Sequence, residues 1–169
     1  MCFNIHSKYG DSLLAKEDIT CFKILRHSFG RLTAPFADAD SGGVYIYNID
    51  EVKTESIGRP YLLVIDKIAR HSIERGLHSF TNVRSAVRYR SFGKPWRTYF
   101  IYKCVIPKGS AVYYNPWDHQ YVSNSIRVVG RASWMEMFIQ YFRDISNRKN
   151  GTVPGNLQRL VVPGPDDKD

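Results

Sequence analysis

Polar and apolar residues interleave along Ile19-Thr20-Cys21-Phe22-Lys23-Ile24-Leu25-Arg26, a β-rich pattern that predicts a first strand. Gly42-Gly43 closes a turn cluster and leads into a second strand over Val44–Tyr47. The run Tyr99-Phe100-Ile101-Tyr102-Lys103-Cys104-Val105-Ile106 carries bulky residues on both faces, as a central strand does. Pro107-Lys108-Gly109-Ser110 reads as a turn, Ala111–Tyr114 as the next strand, and Tyr121–Val129 as the strand that closes the sheet. Between Tyr61 and Glu74 the pattern is undecided. Leu62-Leu63-Val64-Ile65 suits a buried strand, whereas Leu62, Ile65 and Ile68 also suit a helical face.

Two segments have helical spacing. In Asn82–Arg90, Val83, Ala86, Val87 and Arg90 share one face, and Arg84 and Arg88 stand four apart on another. In Trp134–Asn147, Trp134, Met137, Phe138, Tyr141, Phe142 and Ile145 form one apolar stripe, expected to pack onto the sheet or onto a second copy. Ser133 and Glu136 form a capping box at its start, and Asn150-Gly151 ends it. Residues 1–19 read as an arm, residues 28–36 as a loop and 152–169 as an extended or poorly ordered tail. The expectation is a single α+β domain over residues 1–151, with mixed or antiparallel sheets, a short central helix and a C-terminal amphipathic helix.

Composition narrows the function classes. The chain has 169 residues, enough for one core without disulfide staples. Cys2, Cys21 and Cys104 are scattered and odd in number, which predicts thiols in a reducing cytoplasm rather than a zinc site or disulfide framework. The first residues lack the basic and apolar regions of a signal peptide, and no run is long enough to span a membrane, so a cytoplasmic protein without a membrane partner is expected.

Charge is the sharper signal. The net charge is +8, and Lys67 to Lys103 holds nine basic residues against Glu74 alone, while the remainder of the chain balances to zero. A field confined to one segment suits a phosphate-bearing partner, either a nucleotide or a nucleic acid. A solvated basic face without a partner is the plainer alternative.

No Walker loop, HExxH or GxSxG string is present. Two stretches remain as candidate chemistry. In Gly76-Leu77-His78-Ser79-Phe80, the glycine frees the backbone ahead of a helix, and His78 and Ser79 can present polar atoms at a strand end. Asp118-His119-Gln120 forms a polar loop before the closing strand. A strand-end histidine is more often structural than catalytic.

The order of these blocks resembles the ADP-ribosyltransferase superfamily. Cys21–Arg26 looks like its first block, Gly76–Phe80 with Ala86 and Tyr89 like the second, Tyr102–Gly109 like the middle strand and turn, and Gln120-Tyr121-Val122 with Ile126-Arg127-Val128 like the closing strand. The GLHSF, IPKGS and YVSN strings are also similar to those of small uncharacterised proteins from phages and gut bacteria. The resemblance covers roughly residues 20–130 and implies a split β-sandwich. Active members place a glutamate where this chain has Gln120, and Asp118 stands two positions earlier. Gln120 can still bond a ribose hydroxyl but brings no charge to an oxocarbenium-like transition state. The loss of one such electrostatic contribution costs about 100- to 1,000-fold in rate.

The resemblance therefore implies a nucleotide-binding protein that takes NAD, ADP-ribose or a cyclic nucleotide without efficient turnover. A phage-type protein of this kind would act in the host cytoplasm against nucleotide signalling or defence. Arg26, Arg84 and Arg88 are the expected phosphate contacts, and Tyr89 and Tyr121 the base-stacking rings beside Phe80. His78, Ser79 and Gln120 would hold ribose or amide groups. No cofactor or metal is required. An active transferase using His78 and Asp118, and a nucleic-acid-binding or host-protein-binding protein, are the alternatives. The 134–147 helix is the expected site of any homo-oligomer.

Overall fold

The structure is a computed structural model that describes residues 3–5, 12–28, 30–34, 46–59, 61–65, 68–73, 75–90, 99–115, 119–146 and 157–159. The strands in the first half are β1 (Phe3–Ile5), β2 (Leu13–Ala15), β3 (Ile19–Ser28), β4 (Arg31–Thr33), β5 (Ile46–Tyr47), β6 (Val52–Thr54), β7 (Tyr61–Ile65), β8 (Ile68–Ile73) and β9 (Leu77–Phe80). Helix α1 (Val83–Arg90) follows, then β10 (Tyr99–Ile106), β11 (Ala111–Asn115), β12 (Gln120–Ser123), β13 (Ser125–Arg131), helix α2 (Trp134–Ser146) and β14 (Leu157–Arg159). The class is α+β, with two short helices on a mostly antiparallel framework that forms an open sheet and a single domain. Among the described residues no helix is long and apolar enough to cross a membrane.

The large sheet runs β14-β2-β11-β12-β9-β3-β10-β13-β6, with β4 and β5 branching from the far end of β3. Its spine is β3 against β10, paired without interruption from Tyr99↔Arg26 to Ile106↔Ile19. Alternation along this pair explains why both strands are bulky throughout. Cys21, Leu25, Tyr102, Cys104 and Ile106 face one cluster with Leu77, Val112, Tyr121 and Val128. Phe22, Ile24, Tyr99 and Ile101 face a second, closed by Phe80 and by Val83 and Ala86 of α1. Each fully buried Leu, Ile or Val contributes roughly 1.5–3 kcal/mol by leaving water, so the two-sided spine is the main reservoir of stability.

Several expectations change in three dimensions. The undecided Tyr61–Glu74 run is a hairpin, β7 against β8, which β1 extends into a separate three-stranded sheet. Residues expected to form a loose arm thus supply two strands, β1 and β2. The expected loop at 28–36 contains a hairpin return: β4 turns back on β3 at Gly30, whose φ is 74°. The single closing strand is two strands. At Asn124 the main-chain N–H donates to the Ala111 carbonyl, and the side-chain oxygen accepts from the Ala111 N–H. That local exchange ends β12 beside β11 and releases the chain to pair with β10 as β13. Within the expected tail, Leu157–Arg159 joins β2 as an edge strand, and the rest of the tail lies outside the described residues.

The capping box of α2 forms as expected, with Glu136 N–H on Ser133 Oγ at 3.1 Å and Ser133 N–H on the Glu136 carboxylate at 3.0 Å. Those bonds hold the Glu136 carboxyl below its ordinary pKa. Met137 alone of the described stripe residues packs inward, while Trp134, Phe138 and Phe142 are half exposed or more.

Gly76 opens β9 at φ 131°, and a Cβ there would stand 2.4 Å from Val122 Cγ1. Gly109, in the β10–β11 turn at φ 81°, has open space around the same position. Gly76→Ala combines backbone strain with a clash against a buried side chain and should cost about 3 kcal/mol or more. Gly109→Ala should cost about 1 kcal/mol. Chemical unfolding of the two variants side by side tests the ranking, and equal losses would refute the close approach at Gly76.

Candidate functional site

The residues expected to form one site lie on both faces of the sheet. In the β9–β12 ladder His78 pairs with Val122, Ser79 with Tyr121 and Phe80 with Gln120. Residues two apart share a face, so His78, Phe80 and Gln120 point one way and Ser79 and Tyr121 the other. Phe80 is a core ring with its centroid 5.3 Å from that of Tyr89. Tyr121 is buried against Tyr114, at a centroid distance of 5.4 Å. Gln120 is buried, and Ser79 lies beside the Cys21 thiol. Arg84 and Arg88 are on α1, which covers the Phe80 face, with Arg88 exposed. Arg26 is exposed near the far end of β3, opposite Tyr99. Asp118 lies outside the described residues, as do Lys67, Lys94 and Arg97 of the basic segment.

A different cluster stands out on the Cys21 face. β3 and β9 share the single ladder pair Phe22↔Phe80. Beside it the Lys23 ammonium donates to the His78 carbonyl. This lysine is only 6% exposed. Its Nζ lies 5.1 Å from the Tyr47 ring centroid. Lys53 also approaches that ring, at 5.5 Å, and donates to the Ile46 carbonyl at 3.0 Å. Tyr47 is thus in contact with two ammonium groups.

Burial dominates the titration behaviour here. Loss of water lowers the Lys23 pKa to about 8, partly offset by the thiols of Cys104 and Cys21 and the Glu55 carboxylate. Burial pushes the Cys21 thiol up to about 12 and raises Cys104 and Tyr47 as well. Both cysteines are free thiols, and they are directly opposed on β3 and β10. A thiol held so far above neutrality is a poor nucleophile, which argues against Cys104 as a catalytic residue.

On the outer side of Tyr47 lies a cleft of about 470 Å³ lined by His27, Gly30, Leu32, Tyr47, Asn48, Ile49, Phe100, Tyr102 and Arg131. The spine builds it. His27 lies two turns of the alternation beyond Lys23 on β3, and Phe100 and Tyr102 share the same face of β10. Arg131 pairs with Tyr102 across β10 and β13, and its guanidinium carbon stands 3.8 Å from the Phe100 ring centroid. Tyr47 and Tyr102 are buried and form the floor, while His27 and Arg131 are exposed at the rim. Burial raises the Tyr102 pKa, and the neighbouring Arg131 draws it partly back.

Comparison with protein-family models, with curated proteins and with solved structures gives no match. The chemistry of the site must therefore be read from its own groups.

The cleft offers aromatic walls for a flat ring, a guanidinium for an anion and phenol and imidazole groups for polar contacts. Sequence reasoning missed these residues because they come from four separate stretches. Counting basic residues by segment also passed over Lys23, Lys53 and Arg131, each isolated along the chain. The available signal was the same-face pair Phe100 and Tyr102 on the central strand, read together with His27 at the end of the first.

Lys23 carries a test of this geometry. Its pKa is about 8 in the fold and near the ordinary 10.5 when unfolded. The unfolded chain therefore binds more protons between those values, and this group adds stability as pH rises through that window. Cys21 works in the opposite sense above its ordinary 9.0, where the unfolded thiol ionises and the folded one does not. The difference between the parent and Lys23→Met isolates the lysine. Unfolding free energies from pH 7 to 10.5 should rise for the parent relative to Lys23→Met, by roughly 3 kcal/mol at most. Parallel profiles would mean that the ammonium is not buried.

Proposed function

We propose that this chain binds a small anionic ligand of the nucleotide class, NAD, ADP-ribose or a cyclic nucleotide, in the cleft between Tyr47, Phe100, Tyr102 and Arg131, without efficient turnover. The observation that carries the reading is the placement of the Arg131 guanidinium over an aromatic ring at the rim of a cleft floored by two tyrosines. A base or nicotinamide ring can lie against the aromatic groups while phosphate oxygens meet Arg131 and His27. Lys23 and Lys53, both close to the Tyr47 ring, add positive potential near the floor.

The same field bears on turnover. Cleavage of a glycosidic bond to nicotinamide builds positive charge on the ribose, and a guanidinium with two ammonium groups nearby opposes that charge. Binding is favoured over catalysis on this account.

Isothermal titration of the full chain with NAD, ADP-ribose and a cyclic dinucleotide tests the proposal. At least one should bind, Arg131→Ala should weaken it about tenfold or more, and the paired Arg84→Ala and Arg88→Ala change should leave it within about twofold. Silence against all three ligands ends the nucleotide reading. Affinity that depends on Arg84 and Arg88 but not on Arg131 moves the site to the α1 face.

A further inference from the structure

Helix α2 exposes an apolar outer face. Trp134 is 69% exposed, Met135 50%, Phe138 54%, Ile139 54% and Phe142 51%. At 100° per residue these five side chains span an arc of about 140°. Met137 lies outside that arc and packs against the α1 cluster, so the helix is anchored by its opposite side. The exposed rings form a continuous ladder along one ridge, with centroids 6.3 Å apart for Trp134 and Phe138 and 4.6 Å for Phe138 and Phe142.

We infer that this face is the homodimer interface of the chain, formed by two α2 helices crossing antiparallel about a two-fold axis at Phe138. The ladder is self-complementary in spacing. Aromatic residues stand four positions to either side of Phe138, so the axis sets Trp134 of one copy against Phe142 of its partner and Phe138 against its own counterpart. Rows of residues four apart are also the ridges that interdigitate when helices cross near −50°. Area points the same way. Half-exposed side chains of this size each leave roughly 100 Å² of apolar surface, so each copy offers about 500 Å². Two copies together bury about 1,000 Å², the lower bound for a stable interface. Among the five, none is charged, and Glu136, between them in sequence, is committed to capping Ser133. A lipid surface is the weaker occupant because an interfacial helix brings Lys or Arg on its polar face. The described part of α2 carries Glu136, Arg143 and Asp144 instead, one basic residue against two acidic ones.

Sedimentation of the full chain over a range of concentrations should give twice the 19.5 kDa monomer mass, and Phe138→Asp should return it to the monomer. Because Phe138 is exposed, that variant should keep the parent's circular dichroism, which separates lost pairing from lost folding. In a Cys2→Ser background, Phe138→Cys should cross-link to a disulfide dimer under mild oxidation, while Val129→Cys, on β13, should not. Monomer mass at every concentration overturns the inference. So does a dimer that survives Phe138→Asp, or a monomer that co-floats with anionic phospholipid vesicles through this face.

Discussion

One buried ammonium joins two strands of this sheet where their ladder is short. Strands β3 and β9 share a single ladder pair, so main-chain groups beside it need other partners. Lys23, on β3, gives the His78 carbonyl of β9 its donor. An ionised lysine in such surroundings is unfavourable by itself, and burial lowers its pKa accordingly. The Tyr47 ring and the nearby Glu55 carboxylate moderate that cost.

This contact links the fold to the cleft. The strand that carries Lys23 carries His27 four residues on, and the strand paired with it carries Phe100 and Tyr102 on the same face. The Tyr47 ring that contacts the ammonium also lines the cleft. A change at Lys23 therefore reaches the cleft floor through one aromatic ring. The opposite face is apolar. Phe22, Phe80, Val83 and Ala86 fill it with an apolar layer that seats α1.

Local pattern was a good guide for many decisions between sequence neighbours, though not for the β3–β4 and β7–β8 hairpins. The spine strands, α1, the turn at Gly109 and the capping box of α2 are all set by alternation, 3.6-residue spacing or a three-residue reach, and all are present. It failed where a choice depended on distant partners. Asn124 splits the closing run because Ala111 is beside it, and nothing within Tyr121–Val129 announces that. The α2 stripe has the spacing of a core-facing helix, yet rotation about the helix axis is decided by what lies beneath, and of the described stripe residues only Met137 meets the α1 cluster.

The sequence by itself determined the class, the strand spine, the two helices and the excess of positive charge, because each follows from side-chain period, propensity or composition. Tertiary structure alone decided which charges and rings meet. It set His78 and Gln120 on one face and Ser79 and Tyr121 on the other, since alternate residues of a paired strand must point in opposite directions. It also drew Tyr47, Tyr102 and Arg131 from three separate strands to one cleft. Strand order governs that convergence, and strand order arises from long-range pairing that no short window of residues encodes.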